Sequence, residues 1–227
     1  MPGGGAVIGG ATTVRSLQAK DLAFAANLHT QALPQGFFVL LGHRYLRAYY
    51  RGFSASPFAV ALVAERAGEP IGVLVGTTDS VAHHRYVVRH HGWRLALHGA
   101  AGLVLRRQAA QHFLRSRALR YAKSIARAWR PRPAGSNRPR PAAIKEGPVG
   151  VLSHVAVVPS ARGLGAGTAM AERFVAAARD AGTARLELVT LTGPEGAGPL
   201  YERLGWQRVG QHARDGLQYA RFALELT

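Results

Sequence analysis

The residues best suited to chemistry lie in the second half of the chain. Arg162-Gly163-Leu164-Gly165-Ala166-Gly167 sits between an expected strand and an expected helix. Ahead of it, Val155, Val157 and Val158 are β-branched, as a buried strand requires, and Pro159 and Ser160 end that strand. Behind it, residues 168–179 carry apolar side chains at helical spacing. The first N–H groups of a helix have no intrahelical acceptor, and the helix dipole adds partial positive charge there. Glycines at that point let the backbone approach an anion without an intervening Cβ. The run is therefore a candidate cradle for a phosphate or pyrophosphate, with Arg162 placed for a charge-assisted contact of about 1.5–3 kcal/mol. It lacks the Gly-Lys-Ser/Thr ending of a P-loop, and its glycine spacing is not that of a dinucleotide fingerprint. Three polar side chains accompany it: Ser153 and His154 on the preceding strand, and Glu187 inside the apolar run 184–190. In a regular strand Ser153 and His154 face opposite ways.

The rest of the chain supplies elements to position these groups. Residues 11–17 read as a first strand, and Asp21 as the cap of a helix running to about Leu33. Pro34-Gln35-Gly36 interrupts, and residues 37–53 form a second, aromatic-rich helical stretch. The runs 58–65 and 71–78 make a hairpin through residues 67–70. After the central strand and helix come a strand at 184–190, a short helix at 199–204 with Pro199 in its first turn, and a terminal hairpin from 206–211 and 218–226.

Composition bounds the rest. With 227 residues, 48% of them hydrophobic, the chain can build one domain with a proper core. It has no cysteine, which excludes disulfides and cysteine-ligated metals. No run of about 18 apolar residues is present, so no transmembrane helix is expected. Residues 1–11 lack the basic start and apolar centre of a secretory signal and read as a disordered leader, with a cytoplasmic protein as the default. Richness in Arg, Ala and Gly suggests a GC-rich bacterial genome. The formal charge of +17 favours anionic partners, although no nucleic-acid motif accompanies it.

About half of the 29 lysines and arginines lie between Asp79 and Glu146, a stretch without a single Asp or Glu. Residues 92–105 and a following run holding Leu114, Ala118, Tyr121, Ile125 and Trp129 read as two helices, then a flexible Pro/Arg/Gly tail at 131–143. The pairs His83-His84 and His90-His91 are adjacent, which does not put both rings on one helix face, and no carboxylate joins them, so no metal site is expected.

Arg162-x-x-Gly165-x-Gly167, after a strand ending Val-Ala-Val-x-Pro, resembles the acyl-CoA-binding motif of the GCN5-related N-acetyltransferase (GNAT) superfamily. Ala197-x-x-Leu200-Tyr201-Glu202-x-x-Gly205-Trp206 is similar to that family's Ala-x-x-Leu-Tyr-x-x-x-Gly-Phe segment, at the spacing the family uses. The resemblance implies an α/β (α+β) GNAT fold over residues 12–227: a mixed, mostly antiparallel sheet of six to seven strands flanked by helices. The helical basic stretch 80–146, before the CoA-binding strand, is an insertion that the family core lacks. The resemblance further implies acetyl-CoA, or another acyl-CoA, as co-substrate without a metal, and transfer to a primary amine of a small molecule, amino sugar or peptide. Backbone groups of Val155, Ala156 and Val157 would pair with the pantetheine arm, and amides of Arg162, Gly163, Leu164, Gly165, Ala166, Gly167 and Thr168 would hold the pyrophosphate.

Among catalytic candidates, Tyr201 matches the family's general acid to the leaving thiolate. The base stays open between His154, Glu187 and a water chain, with Ser153 at the position near which some members place a catalytic histidine or carboxylate. Gln35, Phe37, Phe38 and Tyr45 are candidate acceptor contacts. Pro194 and Glu195 stand where the family commonly has an asparagine, which alters the expected hydrogen bonding around pantetheine. For the insertion three roles compete: a lid over the acceptor cleft, a basic surface for an anionic membrane or an acidic acyl carrier protein, and a packing or homodimer element. Transfer of longer acyl chains and non-catalytic acyl-CoA sensing are the alternative functions.

Overall fold

The structure, a computed structural model, describes residues 10–34, 36–105, 147–193, 196–214 and 216–226. Most of the expected leader, Gln35, the second insertion helix with its Pro/Arg tail, and Pro194 and Glu195 lie outside the described residues.

One seven-stranded sheet organises the chain. Its strands are β1 (Thr12–Ser16), β2 (Ala59–Arg66), β3 (Glu69–Thr77), β4 (Val149–Val157), β5 (Arg185–Leu191), β6 (Gln207–Arg214) and β7 (Leu217–Glu225), in the order β1-β2-β3-β4-β5-β7-β6. Every neighbouring pair is antiparallel except β4 and β5, which run parallel. This is the mixed, mostly antiparallel sheet that the resemblance implied.

Helices cover both faces, because alternate residues of the central strands are apolar on both sides. On one face α5 (Ala166–Asp180) and α6 (Gly198–Arg203) bury Met170, Phe174 and Tyr201 against Leu62, Leu74, Leu152 and Leu186. On the other, α1 (Leu22–Ala32) and α3 (His43–Ala55) bury Leu22, Leu28, Tyr50 and Phe53 against Val63, Val73 and Val75.

Three details differ from the sequence reading. The expected helix 37–53 is two helices, α2 (Phe37–Leu40) and α3, because Gly42 adopts φ 93°, which no helix accommodates. Asp21 stands at the start of α1 without capping it by its side chain. Its buried carboxylate instead accepts the Gln18 N–H and pairs with Arg15, which also holds Glu65. Third, helix α4, in the stretch expected to be an insertion, begins at Ser80 and runs unbroken to Leu105, well before the expected start at Gly92. Asp79 Oδ1 accepts the N–H groups of Val81 and Ala82 at 3.0 and 2.9 Å, a helix start that the basic composition masked.

The feature that makes room for a site is a split in the sheet. β4 pairs with β5 only over Val149–Leu152 and Arg185–Leu188. At the same level β4 bulges against β3: Leu152 faces Gly76, His154 faces Val75, and Ser153 is the extra residue between them. Beyond the bulge β4 follows β3, β5 follows β7, and the two parallel strands part.

Candidate active site

The glycine run takes the shape that its residues allow. A 3-10 turn, Pro159–Ala161, ends β4's excursion and delivers Arg162. Gly163 and Gly165 then adopt φ 77° and 80°, values an L-side chain resists. A Cβ at either would meet nothing within 4 Å, so glycine is needed there for conformation rather than space. The helix α5 starts at Ala166, and its first turn closes when the Ala169 N–H donates to Gly165 O at 2.9 Å. The amides of Ala166, Gly167 and Thr168 therefore precede the first intrahelical bond and are available to an anion.

Arg162, at the head of this run, lines a cleft of about 700 Å3, whereas Gly163 to Thr168 are not part of its lining. The cleft fills the split between β4 and β5: Leu152–Val157 form one wall, Leu188–Leu191 the other, with Arg162 at one end. Val158 N–H donates to Ile71 O on β3, and antiparallel pairing alternates along the strand. Backbone groups of Val155 and Val157 thus turn from β3 into the cleft, while those of Ala156 meet β3 opposite Val73. An extended ligand arm finds a free strand edge there.

The bulge also answers the question of Ser153 and His154. Alternation breaks at Ser153, and both residues line the cleft. His154 meets α1 and α3: Tyr49 Oη lies 3.1 Å from its Nδ1, and its ring centroid is 4.5 Å from that of His29. His29 Nδ1 in turn lies 3.0 Å from Tyr50 Oη, in a buried pair. His29 and Tyr50 line the cleft too and are only 2% and 1% exposed. Burial lowers the His29 pKa to about 4; burial and the neighbouring His29 lower that of His154 to about 3. Both rings are neutral at physiological pH.

Tyr201 enters from below on α6, which is tied to β5 by the Ala197 N–H donating to Thr190 Oγ1 at 3.2 Å. Its ring packs against Trp206 and Phe222, it is 4% exposed, and burial pushes its pKa up to about 12. The phenol keeps its proton at neutral pH and is a donor facing the cleft.

Other sequence candidates fall elsewhere. Glu187 is not in the cleft lining; Arg185 Nε donates to its Oε1 at 3.1 Å, and it borders an adjoining hollow with Val209 and Arg221 that shares Leu152, Ser153, Leu188 and Val189 with the cleft. Phe37, Phe38 and Tyr45 form a ring cluster continuing through Tyr49 to His154, a wall behind the cleft rather than its lining. Gln35 lies outside the described residues. Sequence reasoning passed over His29, Tyr49 and Tyr50. The signal for His29 was its place on the buried stripe of α1, seven residues after Leu22 and four after Ala25, where only apolar residues were looked for.

The chain thus combines a seven-stranded mixed sheet split between two parallel strands with a glycine-led helix start after β4 and a buried tyrosine in the cleft lining. The sequence profile of the Acetyltransferase (GNAT) family matches residues 126–206, which take in β4, the glycine run, α5, β5 and α6. Solved structures share the architecture at low identity. Ard1 from Thermoplasma volcanium is 14% identical with a TM-score of 0.55, over 96% of this chain and 99% of its own. YncA from Salmonella typhimurium, solved with its cofactor acetyl-CoA, is 15% identical with a TM-score of 0.56, over 96% of this chain and 95% of its own. The ribosomal-protein-S18-alanine N-acetyltransferase from Escherichia coli is 14% identical with a TM-score of 0.53, over 95% and 94%. No curated protein matches the sequence. Residues 126–206 of the chain thus match the GNAT family, and the chain as a whole has the fold of these acetyltransferase structures.

Proposed function

We propose that this enzyme transfers an acetyl group from acetyl-CoA to a primary amine by direct attack within a ternary complex. The observation that carries the reading is the continuity of the cleft. Arg162 lies in its lining, with the free amides of Ala166–Thr168 following a few residues later in the chain; an open β4 edge at Val155 and Val157 runs along it, and Tyr201 lines it. These suit, in order, a diphosphate, an amide-bearing arm and a leaving thiolate. The alkylamine must reach the thioester neutral, since an amine of pKa about 10.4 is mostly protonated at pH 7. In the step itself the amine nitrogen bonds to the carbonyl carbon, the C–S bond breaks, Tyr201 protonates the sulfur, and the nitrogen loses its extra proton. A histidine of pKa about 3 or 4 is too weak a base to hold that proton. The His29 and His154 rings therefore orient the amine, and the proton leaves through water at the cleft mouth. The acceptor is a small-molecule, amino-sugar or peptide amine.

The closed wall of His29, Tyr50 and His154 favours a short acyl group over a long chain. The test is release of free CoA thiol from acetyl-CoA across a panel of amines, repeated with decanoyl-CoA. Amine-dependent release from acetyl-CoA is expected, and much slower release from decanoyl-CoA. Tight acetyl-CoA binding in calorimetry, with no turnover on any amine, would replace this reading by acyl-CoA sensing.

A further inference from the structure

α3 and α4 lie side by side, and each turns the same basic stripe to the groove between them. Arg44, Arg47 and Arg51 occupy positions i, i+3 and i+7 on α3; His91, Arg94 and His98 repeat that spacing on α4. Such steps keep side chains on one helix face. The six, with Ala48 and Leu95, line a hollow of about 220 Å3 that shares no residue with the catalytic cleft.

Four exposed arginines thus line one hollow, Arg94 with its Cζ also 5.1 Å from the Trp93 ring centroid, and none has a carboxylate partner among the described residues. Among the described residues the ion pairs involve Arg15 and Arg185 only, so no carboxylate pairs with Arg44, Arg47, Arg51 or Arg94. The chain offers almost none nearby in sequence: Asp79 is occupied at the start of α4, and the next Asp or Glu is Glu146. Like charges held together on packed helices repel, and an anion between them relieves the repulsion. His91 registers the field, its pKa lowered by burial and then by Arg94, His90 and Arg51.

We propose that this groove is a second anion site, which takes a phosphoryl group bearing at least two negative charges, a phosphomonoester or a diphosphate. Guanidinium forks match phosphate oxygens two at a time, and imidazole N–H groups add donors. The hollow is concave and compact, which suits a tetrahedral headgroup rather than a flat macromolecular face. Binding there would join α4 to α3, which also carries Tyr50 to His29 and Tyr49 to His154.

The probe is pyrophosphate, titrated calorimetrically into the full-length protein at low ionic strength with CoA at saturation, so that the cleft cradle is filled. Saturable binding is expected, and R47Q/R94Q should weaken it by about tenfold or more, with circular dichroism confirming the folded state. Should that double variant not fold, R44Q/H98Q gives the same reading. A second arm sediments the protein with phosphatidylcholine vesicles doped with phosphatidic acid. Vesicle binding lost in R47Q/R94Q, without binding of free pyrophosphate, identifies a lipid headgroup as the source and supports the site. Pyrophosphate binding lost in the variant, without vesicle binding, identifies a soluble phosphate and supports it equally. No binding of either probe, or binding that R47Q/R94Q leaves unchanged, overturns the proposal.

Discussion

In the proposed reaction, burial would make Tyr201 a proton donor. Its ring is held by Trp206 and Phe222, and its phenol is pushed up to about 12, so it retains a proton to give. Tyr201→Phe keeps the packing and removes that proton. Steady-state kinetics should show kcat for amine acetylation falling by about ten- to a hundredfold, with the KM for acetyl-CoA nearly unchanged. A KM rise at constant kcat would make the residue a binding contact instead. Gly165 acts through backbone alone. Because its φ is 80° and its surroundings are empty, Gly165→Ala adds no clash but costs about 1–2 kcal/mol of conformational strain. The cradle should relax to relieve it, so the KM for acetyl-CoA should rise more than kcat falls. These two residues were legible in the sequence because glycine and tyrosine stand in local motifs. His29 and Tyr50 were not, since their partnership joins residues 21 apart on two helices and exists only once both pack on the sheet.

At the scale of elements, α4 is the part of the chain that the motifs left undetermined. Its seat is a close backbone contact: a Cβ at Gly102 would lie 2.3 Å from Leu41 O, between α2 and α3. Backbone cannot swing aside as a side chain can. Gly102→Ala should therefore destabilise the protein by about 1–3 kcal/mol, read as a lower thermal midpoint. Gly99→Ala, three residues earlier, is the matched control. Its Cβ would meet only the Tyr45 ring at 3.6 Å, an ordinary contact, and alanine is the better helix former by about 1 kcal/mol. The control should hold or raise the midpoint; if both variants behave alike, α4 is not seated at Leu41. The β4–α5 unit followed from a β-branched run and a glycine turn, and the mixed, mostly antiparallel sheet from the family resemblance. The bulge at Ser153 did not, because it arises from register between β3 and β4, on which the local sequence is silent.

For the whole molecule, three histidines are buried uncharged in a chain whose formal charge is already +17. His29 and His83 are lowered to about 4 and His154 to about 3, all chiefly by burial. In the unfolded chain each titrates near 6.5. The unfolded state therefore binds more protons than the folded state below that value, so stability rises with pH up to about 6.5 and is flat above it as far as these groups are concerned. Each contributes a slope of up to about 1.4 kcal/mol per pH unit between the two values. The His29 and His154 rings, 4.5 Å apart, also oppose joint protonation in the folded protein. Asp21, held low by Arg15, acts in the same direction at still lower pH, where its ion pair is lost. Urea midpoints measured from pH 7.5 to 4.5 at constant ionic strength should fall steeply below about 6.5. His83 is the best site for the control, since its Nδ1 is buried without a hydrogen-bond partner and its ring lies on Phe53, away from the cleft. His83→Leu should make the acid slope shallower by roughly one third, one of three proton equivalents, and leave acetyl transfer intact. An unchanged slope in His83→Leu, or stability that holds through pH 5, would mean that the buried histidines accept protons in place.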